Sequence, residues 1–151
     1  MKNKNAFTLV ELIFVIVVLG ILAAVAIPRL GSNMEHAEIA KAQGDVAAIR
    51  ASIASARQKM LVTGTNAYPT KLDNLAGTSS SDGDALFDTN GSITILTYPI
   101  YSKAGAGHWR KTNANTYSFK IIDTDVSFTY TSNTGIFDCT HTEAYCKKIT
   151  E

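Results

Sequence analysis

Hydrophobic and polar positions fall into three regimes along the chain. Residues 7–27 are almost continuously apolar, interrupted by Thr8, Glu11 and Gly20. At helical rise this run is about 31 Å long, enough to cross the hydrocarbon core of a bilayer, and it predicts a membrane-spanning helix over 7–28. The pattern then becomes amphipathic. Ile39, Ala42, Val46, Ile49, Ile53, Ala56 and Met60 recur at alternating steps of three and four, while Lys41, Asp45, Arg50 and Arg57 fall off that stripe. This predicts a helix over 29–62 continuous with the first, bent or loosened at Pro28, which removes a backbone donor and crowds the preceding turn. Gly44 inside it costs about 1 kcal/mol relative to Ala.

Residues 63–91 are rich in Gly, Ser and Pro and read as a loop region, in which Thr70 and Asp73 form a capping pair that predicts one short helix through Leu75. From residue 92 the period becomes two. Strands are predicted over 93–98, 109–112, 117–122, 126–131 and 135–139, with Tyr117, Phe119 and Ile121 on one face of their strand and Val126, Phe128 and Tyr130 on one face of the next. Asp123, Thr124 and Asp125 join those two as an antiparallel hairpin. A sheet with one apolar face needs a cover, and the stripe on the second half of the long helix is the amphipathic element long enough to supply it. The expected fold class is therefore α+β, with one long N-terminal helix packed through its second half on a C-terminal antiparallel sheet.

Glu11 is the anomaly in this scheme, because a carboxylate within an apolar span must snorkel to the interface or meet a partner. Upstream, Lys2 and Lys4 precede a small residue, Ala6, yet no apolar stretch lies before that junction, unlike a secretory signal. The phrase Ala6, Phe7, Thr8, Leu9, Val10 and Glu11 resembles the processing site of type IV pilins and type II secretion pseudopilins. Gly20 and Pro28 stand where that family commonly has a helix-loosening glycine and proline. The residue before the family's cut is usually Gly and is Ala6 here. Both are small.

The resemblance implies a pilin-like fold, with a leader over 1–6 and a periplasmic domain over 29–151. Prepilin peptidase would cut between Ala6 and Phe7 and methylate the new amine. The expected partners are that peptidase, other pilin or pseudopilin subunits and an inner-membrane assembly platform. In a helical stack, the Glu11 carboxylate of one subunit would face the Phe7 amine of its neighbour in low dielectric. Removing Glu11 should then hurt assembly more than insertion. Gly20 and Ala24 form a small-xxx-small pair that lets helices approach closely. The expected location is the bacterial inner membrane, single-pass, with the N-terminus cytoplasmic beside Lys2 and Lys4 and the C-terminal part periplasmic. A plain anchored protein that is never cut is the competing reading.

At 151 residues, the chain accommodates one domain plus the helix. Losing Lys2 and Lys4 with the leader lowers the basic count from 14 to 12 against 13 acids, a formal charge of −1, which supplies no general nucleic-acid field. Cys139 and Cys146 are the two cysteines. In an oxidising periplasm their first reading is a disulfide, which also resembles the stapled C-terminal loop of many type IV pilins. Closing that loop contributes roughly 2.5 kcal/mol in the chain-entropy account. A metal site from Cys139, His141, Glu143 and Cys146 is the alternative, at a spacing that departs from zinc knuckles.

No catalytic constellation, phosphate loop or paired-His metal motif stands out, so the chain reads as a structural protein with no cofactor rather than an enzyme. Asp82, Asp84, Asp88 and Asn90 cluster with Gly83 and Gly91, out of EF-hand order, and read as solvated turn residues. His108, Trp109, Arg110 and Lys111 set an aromatic beside potential cations, which would suit contact with DNA or a secreted substrate if exposed. Two functions follow as expectations. The leading one is a filament subunit for secretion or DNA uptake in a type II secretion pseudopilus or type IV pilus-like assembly. The other is a minor pilin that binds DNA or substrate through the edge formed by His108, Trp109, Arg110 and Lys111.

Overall fold

A computed structural model describes residues 7–151, apart from the side chains at positions 28–30 and 32. The expected cut at Ala6, the leader lysines and the side chain of Pro28 lie outside the described residues. The chain divides into two compact units, Met1–His36 and Ala37–Glu151. Helix α1 (Leu9–Val62) contributes to both, and its helical backbone is continuous through position 28. The boundary between units falls beyond Pro28, and among the described residues the first buried side chain on the helix is that of Ile39.

In the second unit the predicted stripe becomes the floor of the core. Ile39, Ala42, Val46, Ile49, Ile53 and Ala56 are all buried, and Met60 is half-buried. Opposite them lies a four-stranded antiparallel sheet in the order β5 (Trp109–Asn113), β6 (Thr116–Ile121), β7 (Thr124–Thr131), β8 (Ile136–Cys139). Alternation puts Trp109, Tyr117, Phe119, Val126, Phe128, Tyr130 and Phe137 inward, each essentially sealed from solvent. Their rings interlock, with Trp109 against Phe119 at 5.1 Å and Phe128 stacked on Phe137 at 5.3 Å between centroids. Fully burying each such ring contributes roughly 1.5–3 kcal/mol.

The polar residues that flank the helical stripe tie it to the sheet. Asp45 accepts the Trp109 indole N–H at 2.9 Å, and Arg50 donates to the Phe137 carbonyl at 3.0 Å and to Asp138 at 2.9 Å. Arg57 donates to the Tyr68 hydroxyl at 2.6 Å and lies over its ring. The ring of Tyr68 in turn covers Gly135, where φ is +72° and where any Cβ would run into the aromatic atoms. Only glycine fits that turn.

Four predicted elements differ. The hairpin between β6 and β7 has a two-residue loop, Ile122 and Asp123, because Ile121 pairs with Thr124, so Thr124 and Asp125 belong to the strand. Ile122 takes φ 51°, unfavourable for a β-branched residue, and its N–H is held by Glu38 at 2.7 Å. The strand expected over 93–98 shortens to β3 (Ile93–Thr94), which pairs with β2 (Thr89–Asn90). The backbone N–H groups of Ile95 and Leu96 instead reach the carbonyls of Asp88 and Phe87. Phe87, at φ 56°, interrupts the extended backbone after β1 (Ala85–Leu86), a strand that pairs with β4 (Ile100–Tyr101). The short helix at 70–75 does not form. There Asp73 turns its carboxylate into the core and accepts the Leu75 N–H at 2.9 Å, an Asx turn rather than a helix cap. Finally, the segment expected as a cysteine loop over 139–146 continues into α2 (Ala144–Thr150), which buries Cys146 and Ile149 one turn apart.

Candidate functional site

Among the described residues, the apolar span of the first unit is unburied. Leu9–Ile27 has a mean hydropathy of 3.0 and none of it is buried. Phe7 is 84% exposed and Leu9 73%. Space is open above Gly20, so a second helix could approach closely there.

At the start of this helix, Thr8 and Glu11 form a reciprocal capping box. The Thr8 N–H and hydroxyl both donate to Glu11 Oε2 at 2.8 Å, while the Glu11 N–H donates to Thr8 Oγ1 at 3.3 Å. Four unsatisfied N–H groups at a helix start are costly in hydrocarbon, and this pair serves two donors. Glu11 therefore has a partner within its own chain. The spacing Thr-x-x-Glu is the signal that sequence reasoning passed over, having assigned the capping motif to Thr70 and Asp73 instead.

The second unit separates the four residues from His108 to Lys111. Trp109 and Lys111 point inward and are almost fully buried, and only His108 and Arg110 face outward. Alternation along β5 dictates this split. An edge of four side chains for DNA contact does not exist in this arrangement, since the one aromatic is inside the core and the Lys111 ammonium is committed to Asp73 at 2.8 Å. The Tyr117 hydroxyl also donates to Asp73, on its other oxygen. Burial and the Asp73 carboxylate push the Tyr117 hydroxyl far above its ordinary pKa. His108 is held below its ordinary value, first by partial burial and then by the nearby charges of Lys41 and Lys103.

Cys139 and Cys146 are joined as a disulfide, with Cα atoms 5.8 Å apart. Both sulfurs are therefore unavailable as thiolate ligands, which removes the metal reading of this loop. Around it, Asp138 receives Arg50 at 2.9 Å and lies 3.1 Å from His141 Nε2. The aspartates of the loop region are spent on backbone N–H groups: Asp84 accepts that of Ser81 within a turn, while Asp82 accepts that of Ala104 and Asp88 that of Asn74 from more distant segments. Among the described residues, no arrangement of nucleophile, base and orienting acid is present.

Residues 1–27 match the family described as the prokaryotic N-terminal methylation motif. The chain is 35% identical over 82 residues to the type II secretion system core protein G of Pseudomonas aeruginosa, a match covering 54% of this chain and 48% of that protein. It is 38% identical over 69 residues to the protein of the same name from Aeromonas hydrophila, covering 46% and 45%. A fimbrial protein of Pseudomonas aeruginosa is 38% identical over 56 residues, covering 37% and 36%. The chain thus spans about half the length of the curated relatives it matches, or less. No solved structure matches. These likenesses support the pilin and pseudopilin family.

Proposed function

We propose, on that family likeness, that this chain is a pilin-like structural subunit of a type II secretion pseudopilus or a related filament. In this reading prepilin peptidase cuts between Ala6 and Phe7, the Phe7 amine is methylated, and the subunit waits in the inner membrane with its second unit in the periplasm. The observation that carries it is the wholly exposed apolar helix of the first unit, headed by the Thr8–Glu11 box. Bilayer lipid covers that surface before assembly, and identical helices of neighbouring subunits cover it afterwards. Close packing at Gly20 and Ala24 favours the second state through dispersion contacts. No catalytic role is assigned to any residue.

Glu11 has two jobs in this reading, capping its own helix and attracting the Phe7 amine of a neighbour. The variants Glu11→Gln and Glu11→Ala separate them. Glutamine still accepts the Thr8 N–H but carries no charge, whereas alanine loses both functions. Intact mass and N-terminal sequencing of protein from native membranes should find a methylated Phe7 in the wild type and in both variants. Filament yield should fall in both variants alike. A chain still beginning at Met1 would leave an ordinary anchored domain and refute the proposal, and normal filaments from Glu11→Gln would reduce Glu11 to a helix cap.

A further inference from the structure

The outer face of the sheet in the second unit carries a cleft of about 640 Å³ between β5–β7 and the segments around Ser79 and Lys103. Its floor is made of short hydroxyl side chains, Thr112, Ser118 and Ser127, and its rim carries Lys103, His108, Arg110 and Lys120. Asp125 is the one carboxylate in the lining, and it already accepts the Ser118 hydroxyl at 3.1 Å and faces Lys120 at 3.9 Å. Among the described residues, neither Lys103 nor Arg110 has an ion-pair partner. The lining therefore holds four permanent cations against one acid, and three of them, Lys103, Arg110 and Lys120, remain for an occupant because Lys111 is turned to Asp73, in a chain whose overall charge is close to balance.

These cations are distributed rather than convergent. Arg110 stands on β5 opposite Ser118, Lys120 lies two residues further along β6, and Lys103 sits beyond β5, where its N–H reaches the Trp109 carbonyl at 3.3 Å. Diagonal neighbours on adjacent strands are about 7–8 Å apart, so a single small oxyanion cannot engage the whole row. The lining includes no Phe, Tyr or Trp on which a nucleobase could stack. Small hydroxyls leave room for a backbone and can hydrogen-bond to its amides.

We propose that this cleft receives an extended, carboxylate-rich polypeptide segment of a partner protein, with Lys103, Arg110 and Lys120 meeting its acidic side chains. Arg110 donates one N–H to the Ser80 carbonyl at 3.2 Å, which fixes its guanidinium at the rim. A fork held in this way suits a carboxylate. An acidic occupant would also add negative charge near His108, where partial burial and then Lys41 and Lys103 favour the neutral ring against Asp82 and Glu38. The inference concerns the second unit and does not rest on the filament reading.

The test uses the full chain in detergent micelles, with fluorescein-labelled hexaglutamate as probe and fluorescence anisotropy as readout. Oligothymidylate and inorganic phosphate serve as competitors. Saturable binding is expected at low ionic strength, weakened by salt and weakened about tenfold or more in Lys103→Gln/Arg110→Gln. Both positions are exposed, and unchanged Trp109 fluorescence checks the fold. NMR titration of the His108 ring should show its pKa rise when the peptide is bound and stay put in the double variant. Three results would overturn the proposal: no saturable peptide binding, binding indifferent to the double variant, or displacement as readily by phosphate or oligothymidylate as by peptide. The last would leave a small-anion or nucleic-acid site in its place.

Discussion

Replacing Lys111 with Met breaks an ion pair that the structure almost completely buries. Lys111 is 3% exposed, Asp73 not at all, and their charged atoms are 2.8 Å apart. In Lys111→Met the Asp73 carboxylate keeps the Tyr117 hydroxyl and the Leu75 N–H as donors but loses its counter-charge. Removing one partner of a buried pair costs about 3–5 kcal/mol, a large share of the 5–15 kcal/mol that holds a typical domain. Asp73→Leu should cost a similar amount or more, since it leaves a buried ammonium without an acid. The double variant Asp73→Leu/Lys111→Met removes both charges and strands chiefly the Tyr117 hydroxyl and the Leu75 N–H, at about 1–3 kcal/mol for each buried group left unmade. It should therefore be more stable than the sum of the two single effects predicts, by about 2 kcal/mol or more. Trp109, the one tryptophan and central to the core, reports urea unfolding of the detergent-solubilised chain directly. Single variants should lose about 10–20 °C in Tm. Strict additivity of the two single costs, or a loss below about 1 kcal/mol for Lys111→Met, would show that the pair does not act as a buried unit.

Two further outcomes follow from the same core. Reduction of Cys139–Cys146 should lower stability by about 2–3 kcal/mol, with α2 fraying first because Cys146 anchors it; equal urea midpoints with and without reductant would refute this. In alkali, burial pushes Tyr130 up to about 12 and Tyr117 higher still. Their neutral forms are favoured by the fold, so stability is unaffected below the unfolded tyrosine value near 10 and falls as pH rises through it and beyond. Urea titrations between about pH 8 and pH 11.5 should show that decline, lessened in Tyr117→Phe, and a flat profile would refute it.

Patterning made the helical stripe and the faces of the two central strands legible, because helical and extended periodicities are local properties. The same reasoning misread Asp73, which precedes Leu75 at a spacing equally suited to a turn and to a helix. It also grouped Trp109 with Lys111 on an edge that would make contacts if exposed, and set the bases beside a buried Trp109 in water, although strict alternation from Trp109 sends both residues to one face. A lysine is not expected inside, and only Asp73, distant in sequence, makes that position tolerable. Ile122 and Phe87 were unreadable for a different reason: their left-handed backbone is imposed by contacts such as the Glu38 carboxylate and the packed aromatic rings, not by their own preferences.

What the amino-acid order alone determined is the long apolar helix with its single carboxylate, the amphipathic continuation, the antiparallel class of the sheet and the cysteine pair, since each depends on spacing within a short stretch. Tertiary structure decided which polar groups are buried, which strand edges are paired, that the C-terminal cysteine anchors a helix, and that the outer sheet face gathers Lys103, Arg110 and Lys120 into one cleft. Those outcomes join residues far apart in the chain, and their energies exist only once folding brings both partners into the same low-dielectric interior or the same surface.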